Sequence, residues 1–145
     1  HFSHTPPAPA FEAYRYAFQA TQAFPKPQAM LCVSVVCAPT DEEAQYLSYS
    51  QAVQWALFMT GEQRRLMSPD EAHKIVLTPQ QQGVIDHQSA LWIVGSPKTV
   101  SDTILETAQS CAADEVMITT TMHSYELRRR SYGLIAQALG VDPRT

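Results

Sequence analysis

Hydrophobic positions along the chain change their period several times, and each change marks an element. Phe11, Tyr14 and Phe18 recur at the spacing of one helical face, which predicts a first helix after a proline-rich loop over residues 5–9. Pro25 and Pro27 are expected to end it, because proline has no amide to donate and pushes its predecessor out of the α region. Residues 30–37, Met-Leu-Cys-Val-Ser-Val-Val-Cys, are almost continuously apolar and rich in β-branched side chains, the pattern of a strand covered on both faces in a parallel sheet. Thr40-Asp41-Glu42-Glu43 then reads as a capping box: Thr40 accepts from the third helical amide, Glu43 reaches back, and the acidic turn suits the helix dipole. The helix it opens carries a stripe at Tyr46, Tyr49, Val53, Ala56 and Leu57 and stops near Gly61.

Residues 60–92 break this rhythm and read as an insertion with small helices of its own, opened by Ser68-Pro69-Asp70-Glu71 and Thr78-Pro79-Gln80-Gln81. Standing after a strand, the insertion is expected to act as a mobile flap. Val94-Gly95-Ser96-Pro97 supplies a cap and a first-turn proline for a third long helix with a stripe at Val100, Ile104, Ala108 and Cys111. Residues 116–121 form a second buried strand, and a last helix follows with Leu127, Ser131, Leu134, Ile135 and Ala138 on one face and Gly140 as its stop. Alternating strands and helices make the fold class α/β with parallel strands. Two or three such strands cannot cover both sheet faces or close both edges, so further strands are expected upstream.

Composition narrows the function without naming it. A chain of 145 residues that is 45% hydrophobic and 17% charged is ordinary globular material. The formal charge of −4 offers no basic field for nucleic acid, and Arg128, Arg129 and Arg130 lie inside a helical pattern. No apolar run reaches membrane length and no signal peptide opens the chain, so a cytoplasmic protein is expected, with no membrane partner. The three cysteines, Cys32, Cys37 and Cys111, sit among apolar neighbours without metal or redox spacing, which predicts a buried, reduced set. His1-Phe2 reads as the tail of a strand, as if the chain opened inside a domain.

Glycine-rich nucleotide loops, a nucleophile elbow and zinc spacings are absent from the sequence, so metal or activated-serine chemistry has no support. Polar residues at strand ends remain, where α/β barrels gather their sites. These are His1, Ser3 and His4 after the strand remnant, Pro39 and Thr40 after the long strand, and Thr120, Thr121 and His123 after the last. His123, His1 and His4 are the candidate catalytic residues, and Thr120 and Ser3 the candidate cofactor contacts. A threonine in such a place more often caps or packs, and a single histidine is more often structural. Trp55 and Trp92 read as core in preference to ring-stacking residues. Gly95-Ser96-Pro97 imitates a phosphate cradle, but capping alone explains it.

Three stretches together resemble the luciferase-like flavin-dependent oxidoreductases: residues 33–44, the helix entry at 93–100, and residues 113–132 with His123 and Leu127-Arg128-Arg129-Arg130-Ser131-Tyr132. The resemblance implies the C-terminal portion of a (β/α)8 TIM-type barrel, from the end of strand six to strand eight, with residues 1–145 inside one domain. His1-Phe2 looks like the His-Phe that closes strand six, with His4 as a rival in that register. It further implies a monooxygenase that uses reduced FMN, or a deazaflavin in some branches, with molecular oxygen on a small organic substrate. The flavin phosphate contacts would lie upstream. The implied partners are the missing N-terminal part of the barrel, the flavin, the substrate, a flavin reductase and a second subunit of a homodimer. A non-catalytic flavin-binding or structural member of the family is the alternative, and a free-standing flavodoxin-like module is disfavoured by the absent phosphate loop.

Overall fold

Thr40, Ser68, Thr78, Ser96 and Ser124 each stand immediately before a helix, and each side chain accepts a hydrogen bond from the amide three residues on. Each satisfies one of the orphan donors of a helix start, an effect of about 1 kcal/mol per cap. The computed structural model describes residues 7–141. Its elements are α1 (Pro7–Ala17), β1 (Met30–Cys37), α2 (Asp41–Met59), α3 (Pro69–Ala72), α4 (Pro79–Ser89), β2 (Ile93–Gly95), α5 (Pro97–Ser110), β3 (Glu115–Thr119) and α6 (Tyr125–Ala138).

The strands form one parallel, three-stranded sheet in the order β2-β1-β3. The N-terminal part of β1 pairs with β3, from Met30 opposite Glu115 to Ser34 opposite Thr119, and its C-terminal part pairs with β2, from Val35 opposite Ile93 to Cys37 opposite Gly95. Alternation then sorts the side chains. Val33, Val35, Cys37, Ile93, Val116 and Ile118 share one face, where they pack with Val100 and Ile104 of α5 and Ile135 of α6. Val35 and Val100 are fully buried there, a contribution of about 1.5–3 kcal/mol each. The opposite face is open around its N-terminal end, where Met30 is 42% and Met117 49% exposed.

Helix α1 closes the N-terminal end of the covered face. Phe11 packs with Ala29, Leu31 and Cys111. Arg15 donates to the carbonyls of Cys111 (2.9 Å) and Ala112, placing a cation on the carbonyl end of α5. The segment over 60–92 docks through Met67, Ala72 and Ile85 on Ala52, Val53, Ala56 and Leu57 of α2. His73, at the end of α3, stacks on the rings of Tyr46 (4.8 Å) and Tyr49 (4.4 Å), and the Tyr46 hydroxyl donates to Asp70.

The structure departs from the sequence pattern at several places. Pro7 and Pro9 belong to the first turn of α1 and not to a loop, because a first turn has no use for their missing amides. That helix ends at Ala17, well before Pro25. Ile93–Gly95 is a strand in addition to a helix entry. The last strand spans Glu115–Thr119, so Thr120 and Thr121 lie beyond it. The capping box at α2 is half formed: Thr40 caps Glu43 at 3.2 Å, while the Glu43 carboxylate turns to Arg130 of α6 at 3.2 Å. Boxes with both bonds open α3 and α4. Among the described residues no helix is long and apolar enough to cross a membrane, and Cys32, Cys37 and Cys111 are free thiols.

Candidate functional site

The C-terminal ends of the strands are fixed from two directions. Consecutive residues of α6 hold two of them: the buried Ser131 hydroxyl accepts from the Cys37 amide at the end of β1 (3.0 Å), and the Tyr132 hydroxyl accepts from the Thr120 amide just past β3 (3.0 Å). Arg130, next in line, makes the ion pair with Glu43. The Arg-Ser-Tyr run therefore ties α6 to the start of α2 and to two strand ends.

The third strand end is held by a carboxylate. Asp41, in the first turn of α2, accepts a hydrogen bond from the Ser96 amide at the entry of α5 (2.5 Å). That amide bond, with help from the Thr99 and Ser96 hydroxyls, holds the Asp41 carboxyl below its ordinary range. Gly95 makes the approach possible, since a Cβ there would stand 2.8 Å from Asp41 Oδ1 and 2.8 Å from Thr99 Cβ. The helix N-terminus that imitated a phosphate cradle thus already receives an anion from the chain itself.

Beside the open side of the sheet lies a cavity of about 830 Å³, with Cys32, Ser34, Gln51, Trp55, Trp92 and Thr119 among its lining residues. Arg64 is the one charged side chain that the described residues bring to the lining, and it is bound to Glu62 at 2.8 Å. Gln51 donates through Nε2 to Ser34 Oγ (3.3 Å), while its Oε1 is buried and accepts from no group among the described residues. Burial raises the Cys32 thiol above its ordinary value, and burial followed by the nearby Asp41 charge pushes the Cys37 thiol up to about 11.

Of the candidate residues, Thr120 and His123 lie among the described ones. His1, Ser3 and His4 lie outside the described residues. Thr120 is 6% exposed, and its hydroxyl finds no partner among the described residues. It does not line the cavity, whereas its neighbours Thr119 and Thr121 do. His123 is exposed and stands toward α3: the Glu71 carboxyl is lowered chiefly by the Ser68 amide and hydroxyl, with smaller help from Arg65 and His123. Trp55 and Trp92 both line the cavity, and Trp92 also packs on the α2 cluster as a core residue would. Sequence reasoning missed Cys32, Ser34 and Gln51. Period-two alternation from Met30 through Cys32 to Ser34 would have found two of them. Among the described residues no three His, Cys, Asp or Glu side chains gather as metal ligands.

No family model matches the chain. It is 29% identical over 136 residues to the uncharacterised protein YvbT of Bacillus subtilis, covering 94% of this chain and 40% of that one. It is 31% identical over 129 residues to YceB of the same organism, covering 88% and 39%. A protein of Escherichia coli named luciferase-like monooxygenase is 24% identical over 135 residues, covering 91% and 40%. The crystal structure of apo-MsnO8 superposes with a TM-score of 0.79 at 29% identity, covering 94% of this chain and 42% of that one. The chain thus spans about 40% of the length of the curated relatives it matches.

Proposed function

We propose that this chain is the C-terminal portion of a luciferase-like, flavin-dependent monooxygenase, and that it supplies the substrate-side wall of a (β/α)8 barrel. The observation that carries the reading is a parallel β/α layer with one face packed under helices and the other open, matching a solved chain over 94% of its own length but 42% of that chain's. An open face bearing the half-exposed Met117, in a sheet of three strands among the described residues, calls for further strands. The similarity to the Escherichia coli protein supports the reaction class.

The described residues do not fit the phosphate of a flavin mononucleotide. The amide at the start of α5 is bound to Asp41, and the cavity's one arginine is paired with Glu62. We therefore place the cofactor's anchoring in the part of the parent that the relatives carry and this chain does not. Reduced flavin supplies two electrons when bound, one atom of dioxygen enters the organic substrate, and the other leaves as water. The residues of this chain shape the substrate cavity, keep charge out of it and exclude bulk water. The test is an absorbance titration of the longer parent with flavin mononucleotide, followed by oxygen consumption with reduced flavin. Binding and oxidation together support a monooxygenase. Binding without oxidation indicates a non-catalytic relative, and absence of binding overturns the flavin reading.

A further inference from the structure

We propose that residues 66–77, with α3 at their centre, form a strap that opens from α2 as a unit while α4 stays docked, and that the clasp of His73 between Tyr46 and Tyr49 sets how often it opens. Helix α3 has four residues, too few to persist in water without a surface to lie on. Among the described residues the backbone bonds of the strap stay inside it: Ala72 donates to Ser68 (2.9 Å), His73 to Pro69 (2.9 Å) and Ile75 to Ala72 (3.1 Å). Its capping box also closes on itself, Ser68 with Glu71. The strap is therefore held on α2 by side chains.

Those side chains fall into two groups. Met67 and Ala72 enter the core cluster on α2, and Ile75 and Leu77 pack against it. Nearer the start of α2, the exposed His73 ring lies almost parallel to Tyr46 (4.8 Å, 10°) and Tyr49 (4.4 Å, 17°), and the Tyr46 hydroxyl donates to Asp70. The two tyrosines stand three residues apart on one helical face, so a single flat ring meets both. Stacked rings attract beyond the area they bury. Helix α4 is held differently. The buried Gln81 donates to Thr60 Oγ1 (3.1 Å) and to Glu62 (3.4 Å) at the end of α2, and the chain runs on from α4 into β2 and the sheet. Thr78 marks the division, because its amide and hydroxyl both bond to Gln81 on the α4 side. His123, in the loop after β3, acts on the Glu71 carboxyl, so opening withdraws a carboxylate from that loop and uncovers the two tyrosines. On the barrel reading proposed above, the loop belongs to the rim around the site, and the strap's position alters the charge there.

Hydrogen exchange of the full chain, without flavin and read by peptide mass spectrometry, tests the division. In the unaltered chain, peptides within 66–77 should exchange faster than those within 79–89. His73→Ala should speed 66–77 by about tenfold and leave 79–89 and 31–37 within about twofold of their former rates. His73→Phe keeps a flat ring and should stay within about threefold of the unaltered chain. Tyr49→Leu should speed the strap less than His73→Ala, and should add nothing when combined with it, because the stack it removes is already gone. Acceleration of 66–77 together with 79–89 or 31–37 overturns the proposal, since the segment would then open as one body or the fold as a whole. An unchanged rate in His73→Ala overturns it too, as does equal acceleration in His73→Phe. No arm contains flavin, so failure here is distinguishable from failure of the flavin titration.

Discussion

Replacing Gly95 by alanine tests the tightest close approach in the sheet. Gly95 closes β2 opposite Cys37, and the Ala38 amide donates to its carbonyl at 3.2 Å. A Cβ at this position would meet Asp41 Oδ1, Thr99 Cβ and Thr99 Cγ2, each at 2.8 Å. Real Cβ atoms do not sit so close to three atoms, so the α2 and α5 entries must move apart or the Asp41–Ser96 bond must break. Overpacking of this kind costs about 1–3 kcal/mol, offset by roughly 0.4–1 kcal/mol for the reduced freedom of the unfolded chain. The expected net loss is about 1–2 kcal/mol, a fall in Tm of roughly 2–8 °C for a domain of this size. Gly133 is the internal control: it lies within α6, and a methyl group added there would meet nothing within 4 Å, so Gly133→Ala should raise stability by about 0.5–1 kcal/mol. Thermal unfolding by circular dichroism, with both variants side by side, measures the contrast. If Gly95→Ala melts at or above the temperature of the unaltered protein, the crowding at the α5 entry is not real and the argument for Asp41 as its resident anion fails with it.

Ser131→Ala should cost about 1–3 kcal/mol in denaturant unfolding because it leaves the Cys37 amide without its partner, and Tyr132→Phe should cost less, since Ser131 is fully buried while Tyr132 is partly exposed and water can take the place of its hydroxyl; equal and negligible losses would dismiss the α6 clamp. Asp41 has a folded pKa below its ordinary value, so its stabilisation is fully present above about pH 4 and is lost as the pH falls through the lowered value. The stability gap between the unaltered protein and Asp41→Asn should therefore narrow on acidification, and a gap that widens below about pH 4 would contradict the assignment. Cys32 lines the cavity while Cys37 and Cys111 are buried, so iodoacetamide should modify Cys32 first, as read by peptide mass spectrometry. If residues 60–92 move as a flap, their amides should exchange faster than those of residues 31–37, and equal protection would remove that idea.

Local chemistry was the legible part of this chain. Four capped helix starts, at Thr40, Ser68, Thr78 and Ser96, could be located because a Ser or Thr before an acidic or proline-led turn carries its own instructions over four residues, while the cap at Ser124 emerged only from the structure. Strand β1 announced itself through an unbroken apolar run. Strand β2 could not, since three residues are too few to show a period and Ile93 becomes a strand residue only by lying beside Val35, far away in sequence. The same distance hid the role of Glu43, whose expected local partner lost to Arg130, 87 residues on. At the candidate site, strand ends were the right region to search, but the side of the sheet had to be known. Thr119 and Thr121 meet the cavity while Thr120, between them, is tucked against α6. Gln51 lay beyond sequence reasoning altogether, because an amide in the middle of a helix acquires meaning only from the serine it faces across the fold.

The adjacency of Ser131 and Tyr132 has a mechanical consequence. Consecutive helical side chains diverge by about 100° and differ in height by about 1.5 Å, so a single helix can grip two strands only in one rotational setting. Turning α6 to favour either strand would release the other. The helix thereby acts as a spacer gauge for the relative height of β1 and β3, set from behind the sheet and independent of the loops in front. In a closed barrel that stagger, together with the number of strands, sets the diameter. In a barrel of the kind proposed, loops at the rim would be free to change, because the width of the chamber they surround would be measured elsewhere, by two hydroxyls on the helix behind the sheet.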